Sequence, residues 1–226
     1  MKILPASLLA SVSAAGFVFL MAGSANAEMG ISVYGGVQGA TDSDVSVSGT
    51  GAQDFTASWE GKSFGAPPYY GVRGTWWLDD FGYSNWGVAL DYTHTKVYAD
   101  DSTKTTAGFT HFEFTDGLNL LTLNALYRMP LENTKFTPYV GLGAGVNIPH
   151  VEVDRTSTGG STFDYQLGGA TLQAQAGVSY QFAEHWSAFA EYKGNYSWVD
   201  VDIDSGSSLK TEIFTNAINV GLTFHW

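Results

Sequence analysis

Residues 216–226, NAINVGLTFHW, decide the fold because their side chains alternate between two faces along the whole stretch. Every second position is a large apolar residue: Ile218, Val220, Leu222, Phe224 and Trp226. This period of two is the pattern of a β-strand with one apolar face. A strand of a transmembrane β-barrel presents such a row to lipid and its smaller or polar residues to the lumen. We therefore predict that this stretch closes a membrane-spanning barrel.

The spacing of Asn219, Gly221, Phe224 and Trp226 resembles the C-terminal recognition signal of bacterial outer-membrane proteins. That resemblance implies the barrel-assembly machinery as a partner during biogenesis. The alternative interpretation is an edge strand of a soluble β-sandwich.

The first 27 residues have the order of a secretory signal peptide. Lys2 precedes an apolar run over residues 14–22, and Ala25-Asn26-Ala27 follows as a small-x-small cleavage site. The apolar run is too short for a membrane-spanning helix, which needs about 20 residues. We predict that residues 1–27 are removed and that residues 28–226 form one barrel in the outer membrane of a Gram-negative cell.

Composition agrees with this export route. The sequence has no cysteine, so a closed hydrogen-bonded sheet must hold without disulfides in an oxidising compartment. The net charge is −12, which argues against a nucleic-acid partner and is compatible with divalent cations near the surface.

Eight segments have strand-like patterns, joined by connections that alternate between long and short. They are residues 31–40, 69–78, 86–98, 111–128, 137–148, 170–182, 186–198 and 216–226. In outer-membrane barrels short turns are periplasmic and long loops are extracellular, and an even strand number leaves both ends in the periplasm. The sequence thus predicts an all-β, eight-stranded antiparallel transmembrane barrel. Four tryptophans beside the short turns or the C-terminus should form its periplasmic girdle: Trp76, Trp86, Trp186 and Trp226.

An eight-stranded barrel has a lumen that side chains fill, which argues against an open porin. A turn centred near Gly82 places Arg73 opposite Asp91, and a symmetric next loop would place Asp116 opposite Asp91. The other charged residues predicted to point inward are Arg128, Glu191 and Lys193. We interpret this set as an interior ion network that fills the lumen.

The same register places His94 opposite Glu113 near the extracellular rim, with His111 on the same face. Imidazole and carboxylate groups at the level of lipid headgroups can bind a divalent metal or act as an acid–base pair. The alternative is that these are ordinary polar side chains at the membrane interface, without a binding or catalytic role. The candidate catalytic residues are His94, Glu113 and Asp116, and the candidate metal ligands are His94, His111, Glu113 and His150.

A second arrangement lies at the opposite end. His185 and Ser187 share a strand face, with Glu191 beyond, which is similar to the His-x-Ser and distant Glu of outer-membrane lipid A deacylases. These residues adjoin a short turn and hence the periplasm, whereas lipid A occupies the outer leaflet. We therefore do not assign lipid A deacylation to them.

Five blocks resemble the small outer-membrane lipid A oxidase family of α-proteobacteria. They are FTASWEGKSFGAPPYYGVRGTWW (55–77), THTKVYAD (93–100), FEFTDGLN (112–119), TPYVGLGAGVNIPHVEV (137–153) and TNAINVGL (215–222). The resemblance implies oxygen-dependent oxidation of the proximal glucosamine of lipid A to 2-aminogluconate, with hydrogen peroxide as by-product, a lipopolysaccharide partner and help from divalent cations. It assigns no catalytic residue.

The stretch WEGKSFGAPPYYG (59–71) is unusually rich in aromatic, proline and glycine residues for a solvated loop. We take Tyr69, Tyr70 and Lys96 as candidate substrate-binding residues. The sequence has no flavin or nicotinamide motif, so a divalent metal ion is the simplest cofactor. The competing hypothesis is a non-enzymatic barrel of the opacity or surface-antigen type that serves envelope integrity or adhesion.

Overall fold

The computed structural model describes residues 28–114, 116–156, 160–204 and 206–226, and the predicted signal peptide lies outside these ranges. Most of the described chain is β-strand. The strands are β1 Met29–Ala40, β2 Ser43–Ser48, β3 Gln53–Ala57, β4 Trp59–Glu60, β5 Tyr70–Leu78, β6 Tyr83–His94, β7 Val97–Ala99, β8 Phe109–Phe114, β9 Leu120–Arg128, β10 Phe136–Asn147, β11 His150–Arg155, β12 Ser161–Tyr165, β13 Gly169–Ala183, β14 Trp186–Ile203 and β15 Ser207–His225. A 3-10 turn covers Asp79–Phe81, and one short helix, α1, covers Asp101–Ala107.

Eight antiparallel strands form a closed ring in the order β1, β5, β6, β9, β10, β13, β14, β15. The ring closes because β15 pairs with β1 from Gly30 opposite His225 to Ala40 opposite Thr215. A closed sheet leaves no unpaired edge, which is the condition for strands to cross a membrane. The predicted all-β, eight-stranded barrel is confirmed.

The outer surface of the ring is apolar, as the alternation predicts. Val33, Leu142 and Ile218 are 55%, 70% and 67% exposed, whereas the intervening Tyr34 and Gln38 are buried inside. The four girdle tryptophans are exposed beside the short turns or the chain end, where they were predicted. Within the described ranges no helix is long and apolar enough to cross a bilayer. By the rule for such barrels, the short-turn end faces the periplasm.

The long connections differ from the predicted polar loops, since strands continue into them. β14 and β15 run on as a hairpin through residues 199–210, which were expected to be a loop. The β2–β3 hairpin extends the sheet from β15, and β12, β11, β8, β7 and β4 form a second sheet. The physical reason is a shared apolar core in which Val201, Leu209 and Phe112 are buried.

The predicted fourth strand, 111–128, is also wrong. The chain breaks where Gly117 and Asn119 adopt left-handed φ angles of +92° and +47°, so β8 leaves the barrel for the second sheet. Asp91 therefore pairs with Thr122, and the expected pairing with Asp116 does not occur.

The lumen holds the predicted ion network. Asp91 Oδ2 lies 3.0 Å from Arg73 Nε and 2.7 Å from Lys193 Nζ, and Arg73 Nη2 lies 2.7 Å from Glu191 Oε1. These four side chains are almost fully buried, so two cations balance two anions inside the barrel. Arg128 belongs elsewhere, because it pairs with Glu28 and Asp79 at the periplasmic mouth.

Candidate functional site

The candidate site lies where β6 ends at the extracellular rim. His94 is the last residue of β6 and pairs across the sheet with Tyr70, which is 40% exposed. The two rings stack with centroids 5.2 Å apart, and Tyr92 packs beside Tyr70 at 6.1 Å. Exposed tyrosines at a strand end mark the interfacial aromatic belt. His94 therefore lies at the level of the lipid headgroups.

The hydrogen bonds of Asn119 determine the tautomer of His94. Asn119 Nδ2 donates to the carbonyl oxygens of Asp116 at 2.7 Å, Gly117 at 3.1 Å and Ile148 at 3.2 Å. Its Oδ1 must therefore face the 3.1 Å contact with His94 Nδ1 as an acceptor. Nδ1 carries the hydrogen, and in the neutral ring Nε2 presents a lone pair.

That Nε2 atom is buried and has no hydrogen-bond partner among the residues that the structure describes. The whole side chain is only 4% exposed. A buried polar atom without a partner is costly, and such exceptions concentrate at functional sites. An imidazole held by an amide on one side, with a free lone pair on the other, can take a proton or bind a metal.

A carboxylate cluster lies nearby on the second sheet. Glu113 and Glu152 are directly opposite on β8 and β11, an arrangement of like charges that is unfavourable by itself. His111 Nε2 lies 3.0 Å from Glu113 Oε1, and His150 Nδ1 lies 3.0 Å from Glu152 Oε1. Asp116 Oδ2 approaches His150 Nδ1 to 3.8 Å. A proton or a cation between the carboxylates would relieve their repulsion.

Within the described ranges, two groups of three residues bring their ligand atoms within 4.8 Å of one another: His111, Glu113 and Glu152, and Asp116, His150 and Glu152. Three of the four predicted metal ligands thus fall into these groups. His94 is in neither group, and the predicted pairing of His94 with Glu113 is wrong, because Glu113 pairs with Tyr98. The catalytic and metal-binding roles themselves remain predictions.

Sequence reasoning missed Asn119, which orients His94, and Glu152, which is common to both groups. The His150-x-Glu152 spacing on a short strand was a usable signal, because residues two apart share a face. Asn119 gave no such signal, since its role depends on a left-handed turn.

The predicted substrate-binding residues lie in different environments. Tyr70 is at the lipid-facing surface, whereas Tyr69 is buried. Lys96 is also buried and donates to the carbonyl of Gly65 at 3.0 Å. Burial lowers the pKa of the Lys96 ammonium, and the charges of Asp116 and Glu113 oppose that shift.

The pKa of the adjoining Tyr98 is shifted in the opposite direction, upward. Burial, followed by the charges of Glu113 and Glu152, raises the pKa of Tyr98 to about 12. Tyr98 therefore stays a neutral hydrogen-bonding group at physiological pH. Its ring lies 5.1 Å from Lys96 Nζ, close enough for a cation–π contact.

Exposed apolar side chains adjoin the cluster. His150 packs against Phe163 and Tyr165, with both ring centroids 4.5 Å away. Phe163 is 71% exposed and Leu167 is 70% exposed. A polar cluster beside apolar side chains suits a ligand that has a charged or sugar head and an acyl tail.

A family model described as the outer membrane protein beta-barrel domain matches residues 8–225. No curated protein sequence matches the chain. Neisserial surface protein A (NspA) is 16% identical, with 87% of this chain and 96% of that chain covered and a TM-score of 0.48. The N-terminal β-barrel domain of Pseudomonas aeruginosa OprF is 15% identical, covering 87% and 97%, with a TM-score of 0.41. The attachment invasion locus protein Ail of Yersinia pestis, solved with the heparin analogue sucrose octasulfate, is 14% identical, covering 85% and 98%, with a TM-score of 0.35.

Proposed function

Because this chain belongs to the outer membrane protein β-barrel domain family, and is therefore an outer-membrane protein, we propose that it oxidises lipid A in the outer leaflet. The product would be the 2-aminogluconate form of the proximal glucosamine. The resemblance of five sequence blocks to the lipid A oxidases motivates the reaction class. The ion network supports a site on the rim, because its buried side chains occupy part of the lumen that transport through the barrel would need.

The observation that carries the proposal is Nε2 of His94, which is at headgroup level and has no hydrogen-bond partner in the part of the chain that the structure describes. Oxidation at C1 of the sugar requires a free anomeric hydroxyl, whose proton a base must accept. His94 Nε2 would accept that proton while Asn119 holds Nδ1–H. The carbon loses a proton and two electrons, and these, together with the proton taken up by His94, convert dioxygen to hydrogen peroxide. Water then opens the resulting lactone to the acid.

The carboxylate cluster is the proposed place for a divalent metal. Oxygen and imidazole donors from His111, Glu113 and Glu152, or from Asp116 and His150 with Glu152, form a set that such ions accept. The close approach of the Glu113 and Glu152 strands favours a cation there. When bound, the metal would supply the reactivity toward dioxygen that the protein's own side chains lack.

The side chains around the site would hold the lipid. Tyr70 stacks on His94 at the surface, and Phe163 and Leu167 expose apolar area where acyl chains would lie. Their contribution is orientation, which keeps the anomeric carbon beside the base.

Mass spectrometry of lipid A from cells that express the protein tests the proposal. Wild-type cells should accumulate a species heavier by one oxygen atom, whereas His94→Ala should abolish it and Asn119→Ala should reduce it by about 10-fold or more, within the range for a residue that orients a base. His185→Ala is the matched control, since that histidine is exposed at the periplasmic end. Unchanged lipid A with the wild-type protein in aerated cells would disprove the activity, and full activity in His94→Ala would disprove this site.

A second candidate function is a non-enzymatic surface role in adhesion or envelope integrity. It is favoured by the apolar core shared by the second sheet and the extended β14–β15 hairpin, which makes the extracellular part a stiff, exposed platform. Deleting residues 160–167 should abolish adhesion to host or abiotic surfaces if this role is correct. The same deletion with unchanged adhesion would exclude that surface.

A further inference from the structure

A serine, a histidine and a glutamate, residue types that occur together in hydrolase active sites, lie close together at the periplasmic end of the barrel. Ser187 Oγ is 2.8 Å from Nε2 of His225, and His225 Nδ1 is 3.4 Å from Oε1 of Glu28. We propose that Ser187, His225 and Glu28 form a nucleophile–base–carboxylate triad that hydrolyses small carboxylic esters entering from the periplasm. This inference is independent of the lipid A chemistry at the opposite rim.

The register of three adjacent strands produces this arrangement. Ser187 on β14 pairs with Thr223 on β15, so His225 is two residues further along the same inward face. His225 pairs with Gly30 on β1, and Glu28 precedes Gly30 by two residues.

The distances fit the roles. The Ser187–His225 contact is a full hydrogen bond, and 2.8 Å is the reach required for a general base. The 3.4 Å contact to Glu28 is longer than a hydrogen bond, and such contacts in ligand-free sites often tighten when substrate binds. Glu28 is held in place from its other oxygen, which accepts from Arg128 Nη1 at 2.6 Å.

Glu28 is also in the required ionisation state. Burial alone would raise its pKa, but the neighbouring His225 and Arg128 side chains outweigh burial and hold the pKa of Glu28 below its usual value. A carboxylate beside Nδ1 fixes the histidine tautomer whose Nε2 faces the serine.

All three residues line one cavity of about 460 Å³ at the short-turn end of the lumen. This size suits a small ligand and excludes a whole lipid. Trp77, Leu126 and Phe189 supply apolar walls for a short acyl group. Arg128 also lines the cavity, where its guanidinium pairs with Glu28 and Asp79.

The reaction balances without a cofactor. Ser187 Oγ attacks the ester carbonyl while its proton passes to His225 Nε2, and the proton then leaves with the alcohol. Water, deprotonated by the same nitrogen, releases the carboxylic acid and regenerates the serine.

The sequence comparison grouped Ser187 with His185, whereas in the structure the histidine that contacts Ser187 is His225. His185 Nδ1 contacts the backbone oxygen of His225 at 3.1 Å, and the His185 ring packs against Phe224 with centroids 5.9 Å apart. The partner that faces Ser187 is 38 residues away along the chain.

The full-length protein, purified from outer membranes in detergent, provides the test. A fluorophosphonate probe should label Ser187, located by peptide mass spectrometry, and p-nitrophenyl butyrate should be hydrolysed. Ser187→Ala and His225→Ala should each lower hydrolysis by about 1,000-fold or more, and Glu28→Gln by about 100-fold. The matched control is Ser179→Ala, because Ser179 lines the same cavity.

Heat-modified gel mobility should show that each variant still forms the barrel. Absence of labelling in the folded wild-type protein, equal labelling of Ser179, or unchanged hydrolysis in folded Ser187→Ala would each overturn the triad. The labelling experiment needs no variant, so the proposal can fail even if a substitution prevents folding.

Discussion

Replacing Asp91 with asparagine should destabilise the barrel by about 3 to 5 kcal/mol, the cost of removing one partner from a buried charge cluster. Asp91 Oδ2 accepts from Arg73 Nε at 3.0 Å, Lys193 Nζ at 2.7 Å and Gln173 Nε2 at 3.1 Å. Its Oδ1 accepts from Tyr34 at 2.6 Å. An asparagine has only one acceptor oxygen, so its NH2 group would have to face the donors on one of these two sides.

The charge balance indicates the size of the effect. Arg73 and Lys193 face Asp91 and Glu191 in a fully buried space, and Asp91→Asn leaves one positive charge unpaired. Loss of an ordinary neutral hydrogen bond would cost only about 1 kcal/mol. The loss of stability expected from an unpaired buried charge is therefore severalfold larger than that expected from a lost hydrogen bond.

Urea unfolding in lipid micelles, with the folded fraction measured from heat-modified gel mobility, gives the change in free energy of unfolding. The matched control is Asp200→Asn, because Asp200 pairs with Lys210 at 2.8 Å on the surface. That exposed pair should contribute about 0 to 1 kcal/mol.

The double variant Asp91→Asn/Lys193→Met restores equal numbers of buried cations and anions. It should be more stable than Asp91→Asn alone, which a double-mutant cycle will show as strong coupling. A loss below about 1 kcal/mol in Asp91→Asn, equal to the surface control, would refute the argument from unpaired buried charge.

Gly71→Ala should lower the free energy of unfolding by about 1 to 3 kcal/mol, because the added carbon would lie 2.1 Å from the Tyr34 ring. An unchanged free energy of unfolding would contradict this packing. Hydrogen bonds from Thr103 hold the pKa of Asp100 below its usual value, so Asp100 stabilises α1 above the unfolded pKa of about 3.9 and this stabilisation is lost as pH falls through the lower folded value. Hydrogen exchange of α1, corrected for intrinsic rates, should rise at acid pH in the wild type and show no such step in Asp100→Ala. Arg155→Lys should speed proteolysis of the extracellular hairpins and leave barrel unfolding unchanged, because it breaks a guanidinium fork to three partners outside the membrane; equal proteolysis rates would show that the fork is dispensable.

The barrel was largely predictable from sequence because its strands obey a local rule. Alternation fixed which residues face lipid, and a short turn fixed the pairing of Arg73 with Asp91. The turn between β5 and β6 leaves little freedom in register, so counting residues outward from it was sufficient.

The rim could not be predicted in the same way. Glu113 and Glu152 become neighbours through β8 and β11, whose connection contains an entire membrane hairpin. Counting residues outward from the centre of a symmetric loop failed there. Residues 117 and 119 have left-handed φ angles and turn the chain out of the barrel. The contact between Ser187 and His225 likewise depends on the register of the closing strand, which loop length alone does not set.

The β14–β15 hairpin is long enough to carry the chain well above the membrane. Its strands have 18 and 19 residues. A tilted strand crosses the hydrocarbon core with about 10 residues, so roughly 25 Å of each strand continues beyond it at about 3.3 Å per residue. Residues 203 and 207, which are paired at the far end of the hairpin, therefore lie well outside the hydrocarbon core. An antibody or phage outside the cell could therefore reach this hairpin without entering the bilayer.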